Sequence, residues 1–312
     1  MALGIDVGKS GCHRILVKGR NYNGFAPFFH PLSRGFRMAE VTVQDGLAEI
    51  KYIIGVASGK GGVGKSTTAV NLALALAANG AKVGILDADI YGPSVPMMLG
   101  LPDGTRPQVE EEKYFLPVPA HGIVSMSMGY LVTEQTPMVW RGPMATGALM
   151  QMLNQTRWGA LDYLVVDMPP GTGDIQLTLA QKASMAGAVI VTTPQDIALL
   201  DARKAIEMFS KVKIPVLGIV ENMAMHRCSQ CGHEEPIFGE GGGQRVAAQY
   251  QTEVLGSLPL DRLIREQVDG GRPSVIAEPE GSTAQRYGEI AERIAVLLSG
   301  TDRSGGPQIT IE

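Results

Sequence analysis

The stretch that decides the fold is Gly59-Lys60-Gly61-Gly62-Val63-Gly64-Lys65-Ser66-Thr67. It satisfies the pattern G-x-x-x-x-G-K-S/T, in which the glycines let the backbone curl until successive N–H groups point at phosphate oxygens. In such a loop Lys65 supplies a positive charge to the β- and γ-phosphates, and the hydroxyl of Ser66 is a ligand of Mg²⁺. Residues 59–67 are therefore predicted to bind a nucleoside triphosphate.

The residues on either side of this loop agree with that interpretation. Tyr52–Ala57 is an aliphatic run typical of a buried strand, and Thr68–Ala77 has the composition of a buried helix. A strand that enters the loop and a helix that leaves it would place the helix N-terminus at the phosphates, where its dipole favours negative charge. Motif and context together predict a P-loop.

The alternation of strand and helix continues along the chain. Further aliphatic runs predict strands over residues 82–87, 161–167, 188–193, 216–220 and 254–258. The segments between and after them predict helices over residues 176–185, 198–210, 243–251 and 284–298. We therefore expect an α/β fold, a doubly wound, mostly parallel sheet with helices on both faces.

One domain accounts for most of the chain. We predict a P-loop ATPase domain over residues 49–298, an N-terminal extension over 1–48, and a flexible tail over 299–312 that is rich in glycine and polar residues. The extension lacks the apolar core of a secretion signal, and Met38 is a second candidate for the start of translation.

Composition excludes several classes of function. The 312 residues carry a formal charge of −4 and contain no long cluster of Lys and Arg, which argues against a nucleic-acid partner. No apolar run reaches the roughly 18 residues that span a bilayer, so no membrane segment is predicted. Three cysteines do not make a disulfide framework in a chain of this length, and this usage fits a reducing cytoplasm.

Lys60 is a second lysine in the loop, and Lys65 already serves the nucleotide bound there. It could be an ordinary surface charge. The sequence of residues 59–67 also resembles that of the deviant-Walker ATPases, the class of MinD, ParA and the nitrogenase iron protein. That resemblance implies that Lys60 reaches the nucleotide of the other subunit in a two-fold homodimer, so that Lys60 and Lys65 are both catalytic.

Three acidic residues end predicted strands or follow them closely. Asp167 ends a buried strand in the manner of a Walker B motif, and Asp87 and Asp89 lie one residue apart at another strand end. Carboxylates in these positions can hold Mg²⁺ and its water, so the predicted magnesium residues are Ser66, Asp87 and Asp167. Resemblance to the class points to Asp89 as the residue that activates the attacking water. The alternative is a pair of solvated turn acids.

Two further loops complete the predicted nucleotide site. Residues 168–174 combine a rigid Pro-Pro with free glycines, which suits a switch that senses the γ-phosphate, with Gly171 and Asp174 as its switch residues. Glu221-Asn222-Met223 follows a predicted strand and resembles the adenine-reading asparagine of the class. An amide can donate and accept together, as an adenine edge requires, although Asn is also an ordinary turn residue.

Cys228 and Cys231 form a C-x-x-C, and two thiolates suit zinc or iron–sulfur chemistry. Either site needs four ligands. His226 and His233 could join the cysteines in the same subunit, Cys12 could be a remote third ligand, or two subunits could each contribute both cysteines. The third arrangement needs the same dimer that Lys60 implies. A thiol pair without metal is the remaining interpretation.

Taken together, the motifs resemble the Mrp-type (ApbC/Nbp-like) iron–sulfur cluster carrier ATPases. The matching segments are residues 59–67, 87–94, 167–174, 221–223, 228–231 and 237–243. The resemblance implies an ATPase that binds a labile 4Fe–4S cluster bridging two subunits, accepts it from an assembly scaffold and transfers it to apo client proteins. Many relatives carry a small N-terminal domain, which residues 1–48 do not resemble.

Three other functions compete with this one. A MinD- or ParA-like positioning ATPase would need a basic membrane helix or a basic DNA-binding patch. Ala284–Leu298 instead has an apolar stripe and mixed charges, which indicates a helix packed on the core. A reductase like the nitrogenase iron protein would use separated single cysteines. A zinc-stapled regulatory ATPase with another client is the third alternative, because four thiolates suit both metals.

Overall fold

The computed structural model describes residues 46–131, 142–228 and 230–300. The predictions that concern Cys12, Met38, most of the N-terminal extension and the tail beyond residue 300 lie outside the described residues. Residues 46–49 form a turn that leads into the first strand.

The described strands are β1 (Ile50–Ala57), β2 (Val83–Asp87), β3 (Val109–Glu110), β4 (Tyr114–Phe115), β5 (Val118–Ala120), β6 (Ile123–Ser127), β7 (Leu161–Asp167), β8 (Gly187–Thr192), β9 (Val216–Arg227), β10 (Glu234–Glu235) and β11 (Val254–Leu260). The described helices are α1 (Lys65–Ala78), α2 (Val95–Met98), α3 (Gly142–Gln155), α4 (Asp174–Lys182), α5 (Asp196–Lys211), α6 (Gly242–Gln249), α7 (Arg262–Asp269), α8 (Ser274–Ala277) and α9 (Ser282–Gly300). A short 3₁₀ turn covers Met128–Tyr130.

The main sheet has the strand order β10-β9-β8-β1-β7-β2-β6-β5, and β11 pairs with β9. The ladders from β9 through β8, β1, β7 and β2 to β6 are parallel, as is the β11–β9 pair. The two outer pairs, β10–β9 and β5–β6, are antiparallel. The expected α/β class with a mostly parallel sheet is confirmed. Because the parallel strands end at one edge, residues that follow them are brought together there.

Helices cover both faces of the sheet because successive strand residues point to opposite sides. Ile54 and Val165 belong to one buried cluster, which includes residues of α1 and α9. Ile53 and Val166 belong to the other, which includes residues of α3, α4 and α5. The strands are apolar on both faces, as a sheet buried between two helical layers requires.

The C-terminal helix packs on the core, as its apolar stripe predicts. α9 buries Tyr287, Ile290, Ala291, Ile294 and Leu298. The helix ends at Gly300, so its last two residues were wrongly predicted to belong to the flexible tail.

The structure corrects two other predictions. The strand predicted over residues 216–220 continues to Arg227, so Glu221–Met223 lies inside β9 and does not follow it. The helix that leaves the P-loop begins at Lys65, three residues before the prediction, because Lys65, Ser66 and Thr67 form its first turn. The short elements α2, α7, α8, β3–β6 and β10, and the longer helix α3, were not predicted.

Candidate nucleotide site and cysteine turn

The predicted phosphate loop connects β1 to α1. Gly62 and Gly64 have φ angles of +80° and +82°, a region that disfavours residues with a Cβ. Gly64 is the residue that precedes α1, so the backbone N–H groups of the first helical turn face the loop. The hydroxyl of Ser58 donates to the carbonyl of Lys60 at 2.8 Å. The loop thus has the backbone geometry of an anion-binding helix N-terminus.

Two glycines of the loop are needed because other chain segments approach them closely. A Cβ on Gly59 would lie 2.0 Å from the carbonyl oxygen of Asp201 in α5. A Cβ on Gly64 would lie 2.1 Å from Nδ2 of Asn222 in β9. Neither contact leaves room for a side chain, so the loop is packed between α5 and β9 at these two points.

A cavity of about 220 Å³ lies over the loop. It is lined by several of the residues that the motifs single out and by neighbours from the segment after β2 and the loop after β7. Its lining residues are Ser58, Lys60, Gly61, Gly62, Gly64, Lys65, Ser66, Thr67, Asp89, Ser94, Met98 and Pro170. Both lysines of the loop and Asp89 therefore face one space.

Lys65 forms a buried ion pair with Asp167. The Lys65 ammonium bonds Oδ1 of Asp167 and also donates to the hydroxyl of Ser66 at 3.1 Å. Lys65 is 6% exposed and Asp167 is fully buried. The second carboxylate oxygen of Asp167, Oδ2, is buried without a hydrogen-bond partner among the residues that the structure describes. A buried carboxylate oxygen in this state calls for a positively charged or donating ligand.

Asp87 lies beside Asp167, because the two residues are partners in the β2–β7 ladder. Its Oδ2 accepts from the Ser127 hydroxyl at 2.9 Å and from the Val95 backbone N–H at 3.1 Å. Burial raises the pKa of Asp87 from 3.8 to about 7, and the charge of Asp167 adds to the rise. Burial also raises the pKa of Asp167, against the lowering effect of Lys65.

This donor set fits Mg²⁺. Two buried carboxylates and the hydroxyl of Ser66 are hard oxygen ligands, which are the ligands that Mg²⁺ prefers. A divalent cation would offset the repulsion between Asp87 and Asp167 and would satisfy the unpartnered Oδ2 of Asp167. Among the predicted residues, Ser66, Asp87 and Asp167 are thus the ones that would hold the metal.

Asp89 lies in the loop after β2 and faces the space over the P-loop. It is half-buried and lines the cavity over the P-loop together with Lys65 and Ser66. Its backbone N–H donates to Oδ1 of Asp87 at 3.2 Å, which ties the loop after β2 to the buried carboxylates. The carboxylate of Asp87 is therefore turned inward, and Asp89 is the acid that faces the cavity.

The predicted switch loop is attached to the P-loop. The N–H of Gly171, a residue with a φ angle of +96°, donates to the carbonyl of Ser58 at 2.9 Å. Asp174 is exposed and is the first residue of α4. Gln176, which the motifs did not single out, donates to the carbonyl of Pro170 at 2.6 Å and thereby holds the loop from behind. The only signal in the sequence was its place in the first turn after the glycines.

Asn222 lies within β9 and is buried against the P-loop. Its Nδ2 donates to the carbonyl of Val63 at 2.8 Å. The side chain of Glu221 accepts from the backbone N–H of Gly243 at 2.6 Å, at the start of α6. The sequence did not reveal that Asn222 contacts the loop, because the two segments are far apart in the chain. Its contact with adenine stays a prediction.

Cys228 and Cys231 lie in the turn between β9 and β10, which we call the cysteine turn (residues 228–233). The N–H of Cys228 donates to the carbonyl of His233 at 2.8 Å, and the N–H of Gly232 donates to the carbonyl of Cys228 at 2.9 Å. Hydrogen bonds from the backbone N–H groups of Cys231 and Gln230 lower the pKa of the Cys228 thiol. Cys228 is half-buried and Cys231 is exposed, so the turn presents two free thiols to its surroundings.

Within one subunit, the described residues of the cysteine turn do not offer a complete set of metal ligands. Within the described ranges, no group of three or more His, Cys, Asp and Glu side chains converges as metal ligands would. The ring of His226 instead contacts the carbonyl of Leu260, with Nδ1 at 3.3 Å. The arrangement with both histidines as ligands in one subunit is therefore not seen, and the arrangement with Cys12 lies outside the described residues.

A larger cavity, of about 340 Å³, flanks the second half of β9. Its walls come from β9, β10, β11, the loop before α6 and the start of α9. Its lining residues include Glu221, Ala224, Met225, Arg227, Glu234 and Arg286. The carboxyl half of β9 therefore borders this cavity through Ala224, Met225 and Arg227.

In the part of the chain that the structure describes, none of the helices combines the length and the apolar character needed to cross a bilayer.

Comparison with known proteins decides the family. The family model described as "ParA: NUBPL iron-transfer P-loop NTPase" matches residues 49–295. The chain belongs to this family. The resemblance inferred from the motifs is thereby confirmed, and the match covers the ATPase domain of this ParA/NUBPL-type protein from just before β1 into α9.

Relatives of this chain are named as iron-sulfur cluster carrier or transfer proteins. An iron-sulfur cluster carrier protein from Pseudomonas fragi is 66% identical over 246 residues, which are 79% of this chain and 86% of the relative. The iron-sulfur cluster carrier protein from Escherichia coli strain K12 is 60% identical over 84% of this chain and 70% of its own length. The mouse iron-sulfur cluster transfer protein NUBPL is 51% identical over 80% of this chain and 78% of its own length.

Solved structures agree on the fold. A nucleotide-binding protein from Archaeoglobus fulgidus, solved in complex with ADP, superposes with a TM-score of 0.68 at 40% identity. The superposition covers 78% of this chain and 95% of that protein. The cell division ATPase MinD from Pyrococcus furiosus superposes with a TM-score of 0.61 at 23% identity, over 79% of this chain and 99% of MinD, and shows the shared fold alone.

Proposed function

We propose that this protein is a cytoplasmic ATPase that carries iron–sulfur clusters. Two copies would hold a labile 4Fe–4S cluster between their paired Cys228 and Cys231, as cargo that they receive from a scaffold and transfer to apo proteins. The observation that carries the proposal is the cysteine turn. It presents two accessible thiols, and within the described ranges no further ligands converge on it. Relatives named as cluster carriers support the same cargo.

The P-loop side supplies a nucleotide site that can hydrolyse ATP. Lys65 would turn from Asp167 to the β- and γ-phosphates, and the backbone N–H groups of the loop and of the first turn of α1 would bind the same oxygens. Ser66, Asp87 and Asp167 would hold Mg²⁺, which neutralises phosphate charge when bound. Asp89 would orient the attacking water, because it is the acid that faces the cavity. Gly171 and Asp174 would respond to the γ-phosphate through the loop that Gly171 anchors to Ser58.

Asn222 remains suited to contact adenine. Its amide nitrogen carries two hydrogens, and the bond to the carbonyl of Val63 uses one of them. The second hydrogen could be donated to the acceptor of an adenine edge, and the amide oxygen could accept a hydrogen bond from its amino group.

The surface around the P-loop supports a homodimer. On one side, Tyr91 and Met97 are 68% and 53% exposed, close in sequence to the cavity residues Asp89 and Met98. On the other side lie exposed Ile197 and Leu200 of α5, the helix that packs on Gly59. Apolar side chains that flank a polar cavity in this way are typical of an interface. A second copy seated here would face Lys60, which lines the same cavity.

The test is anaerobic reconstitution of the full chain with iron and sulfide, followed by metal analysis and absorption spectroscopy. We expect about four irons and four sulfides per dimer, since four thiolates hold one 4Fe–4S cluster. Cys228→Ala and Cys231→Ala should each abolish loading, whereas Cys12→Ala should leave it intact. Stoichiometric zinc that iron does not replace would overturn the carrier function in favour of a zinc-bound ATPase.

A further inference from the structure

One strand, β9, contacts the P-loop near its middle and ends at the cysteine turn. We propose that Asn222 and Met223 on this strand transmit the state of the P-loop to the cysteine turn, so that nucleotide binding changes the accessibility of Cys228 and Cys231. The inference rests on the proposed function for what the turn carries, and it names the residues through which the two sites are coupled.

The first link is the contact of Asn222 with the loop. Its Nδ2 is bonded to the carbonyl of Val63 and lies within van der Waals distance of Gly64. Gly64 precedes Lys65 directly and sets the direction in which α1 begins. A change in the loop backbone on binding phosphate therefore has to move Asn222 or break its hydrogen bond.

The second link is a distortion of β9 directly after Asn222. Met223 has a φ angle of +56°, in the left-handed region that bulky side chains rarely adopt. The β11 ladder shifts register at the same place: between the pairs Ser257–Glu221 and Pro259–Met225, β9 advances four residues while β11 advances two. Such a bulge re-aims the chain beyond it and stores strain, and both properties are common beside functional sites.

The third link is the continuity of β9 beyond the bulge. Arg227 pairs with Glu234 in β10, and the N–H of the next residue, Cys228, bonds the carbonyl of His233. No break in the strand separates Met223 from the cysteine turn. A change in direction at the bulge is therefore passed to the two cysteines as a rigid movement.

The surroundings of β9 differ before and after the bulge. Before the bulge, Glu221 is bonded to the N–H of Gly243, which fixes the strand to α6. After the bulge, the 340 Å³ cavity runs along Ala224, Met225 and Arg227 and gives that half room to shift. Before the bulge the strand thus pairs with β8 and β11 and is bonded to α6, and beyond the bulge it pairs with β11 and the two-residue strand β10 and borders the cavity.

The experiment uses the full-length apo protein and measures alkylation of each cysteine by iodoacetamide, resolved by peptide mass spectrometry. Rates are compared with and without Mg²⁺ and a slowly hydrolysed ATP analogue. A coupling of ordinary strength would change the wild-type rates at Cys228 and Cys231 by about 5-fold or more. An unchanged wild-type rate would overturn the proposal.

Variants of Met223 distinguish the effect of its strained backbone conformation from the effect of its side-chain contacts. Gly and Asn both accept the left-handed conformation at position 223. In Met223→Gly and Met223→Asn the ratio of alkylation rates with and without nucleotide should therefore be close to one, while nucleotide binding persists. Met223→Ala keeps the strain and should keep most of the effect. Equal loss in the Ala and Gly variants, or loss of nucleotide binding in the Gly variant, would contradict the assignment.

Lys213→Gly is the matched control, because Lys213 is exposed and has a φ angle of +59° at a site just after α5. It should respond to nucleotide like the wild type, and a collapse of its response would count against a specific role of Met223. Iron loading of Met223→Gly should match that of the wild type. If the wild type bound no cluster and still showed the nucleotide effect, the carrier function would fail and the coupling would stand.

Discussion

The P-loop region and the cysteine turn lie at the carboxyl side of the same sheet and differ in almost every physical property. Around the P-loop, Lys65, Asp87 and Asp167 are buried ionisable residues that are bonded to their neighbours. In the cysteine turn, the thiols are accessible and the hydrogen bonds come mainly from the backbone. A site that must bind and cleave the same ligand repeatedly gains from preorganisation. A site that must release its cargo gains from exposure and from having too few ligands of its own.

The largest expected effect comes from Lys65→Ala, which should impair ATP turnover at the P-loop and leave iron loading at the cysteine turn unaffected. Loss of a preorganised positive charge on the phosphates should lower ATP turnover by about 10²–10³-fold. Iron loading at the cysteine turn should persist, because Lys65 does not contact it. Steady-state ATPase assays and iron analysis on the same preparation check both halves. Loss of iron loading in a folded variant would contradict the claim that the cysteine turn binds iron without Lys65.

Asp89→Asn should affect hydrolysis and leave binding intact. The amide keeps the size of the side chain and removes the base that orients water, so turnover should fall by about 10²-fold. Nucleotide affinity, measured by equilibrium titration, should stay near the wild-type value. Asp103→Asn is a suitable control, because Asp103 is an exposed acid that does not line the cavity. A smaller effect for Asp89→Asn than for this control would remove Asp89 from its proposed role.

The buried carboxylates should make the apo protein sensitive to pH. The pKa of Asp87 is about 7 in the folded state and 3.8 in its ordinary state, so between these values the folded protein holds the extra proton. The free energy of unfolding should therefore fall as pH rises from about 4 to about 7. Urea denaturation of the wild type and of Asp87→Asn measures the difference, which isolates this group from the other acids. An identical pH dependence in both proteins would contradict the burial of a charged pair here.

Gly64→Ala tests the packing of the P-loop on β9 and has the smallest expected effect. An alanine would be forced into the left-handed region, at a cost of about 1–2 kcal/mol, and its Cβ would press on Nδ2 of Asn222. Thermal or urea denaturation measures the loss. Gly61→Ala is the control, since a Cβ there meets no atom within 4 Å. Equal stability of the two variants would show that β9 does not constrain the loop.

The sequence was most informative where the functional residues are close together along the chain. The P-loop, the acids at the ends of β2 and β7 and the C-x-x-C turn each occupy a few consecutive residues, and aliphatic runs place them at strand ends. The apolar stripe of α9 was sufficient to predict a helix packed on the core. Such patterns depend on spacing alone, and spacing is fully visible in a sequence.

The sequence was least informative where long-range packing decides the structure. The second half of β9 reads Asn-Met-Ala-Met-His-Arg, which lacks the β-branched residues typical of strands, and it is a strand because β10 and β11 pair with it. The packing of Gly59 on Asp201 and the bond from Asn222 to Val63 join segments that are far apart in the chain. The Gly- and Met-rich helix α3 and the short strands β5 and β6 were missed because their patterns are weak.

The most direct test of the central claim is anaerobic native mass spectrometry of the reconstituted protein. The account predicts a species of twice the 33.2 kDa subunit mass plus a single 4Fe–4S cluster, which disappears in Cys228→Ala and in Cys231→Ala. A cluster bound to a monomer, or a dimer that holds zinc in place of iron, would contradict the claim that two cysteine turns share one iron–sulfur cargo.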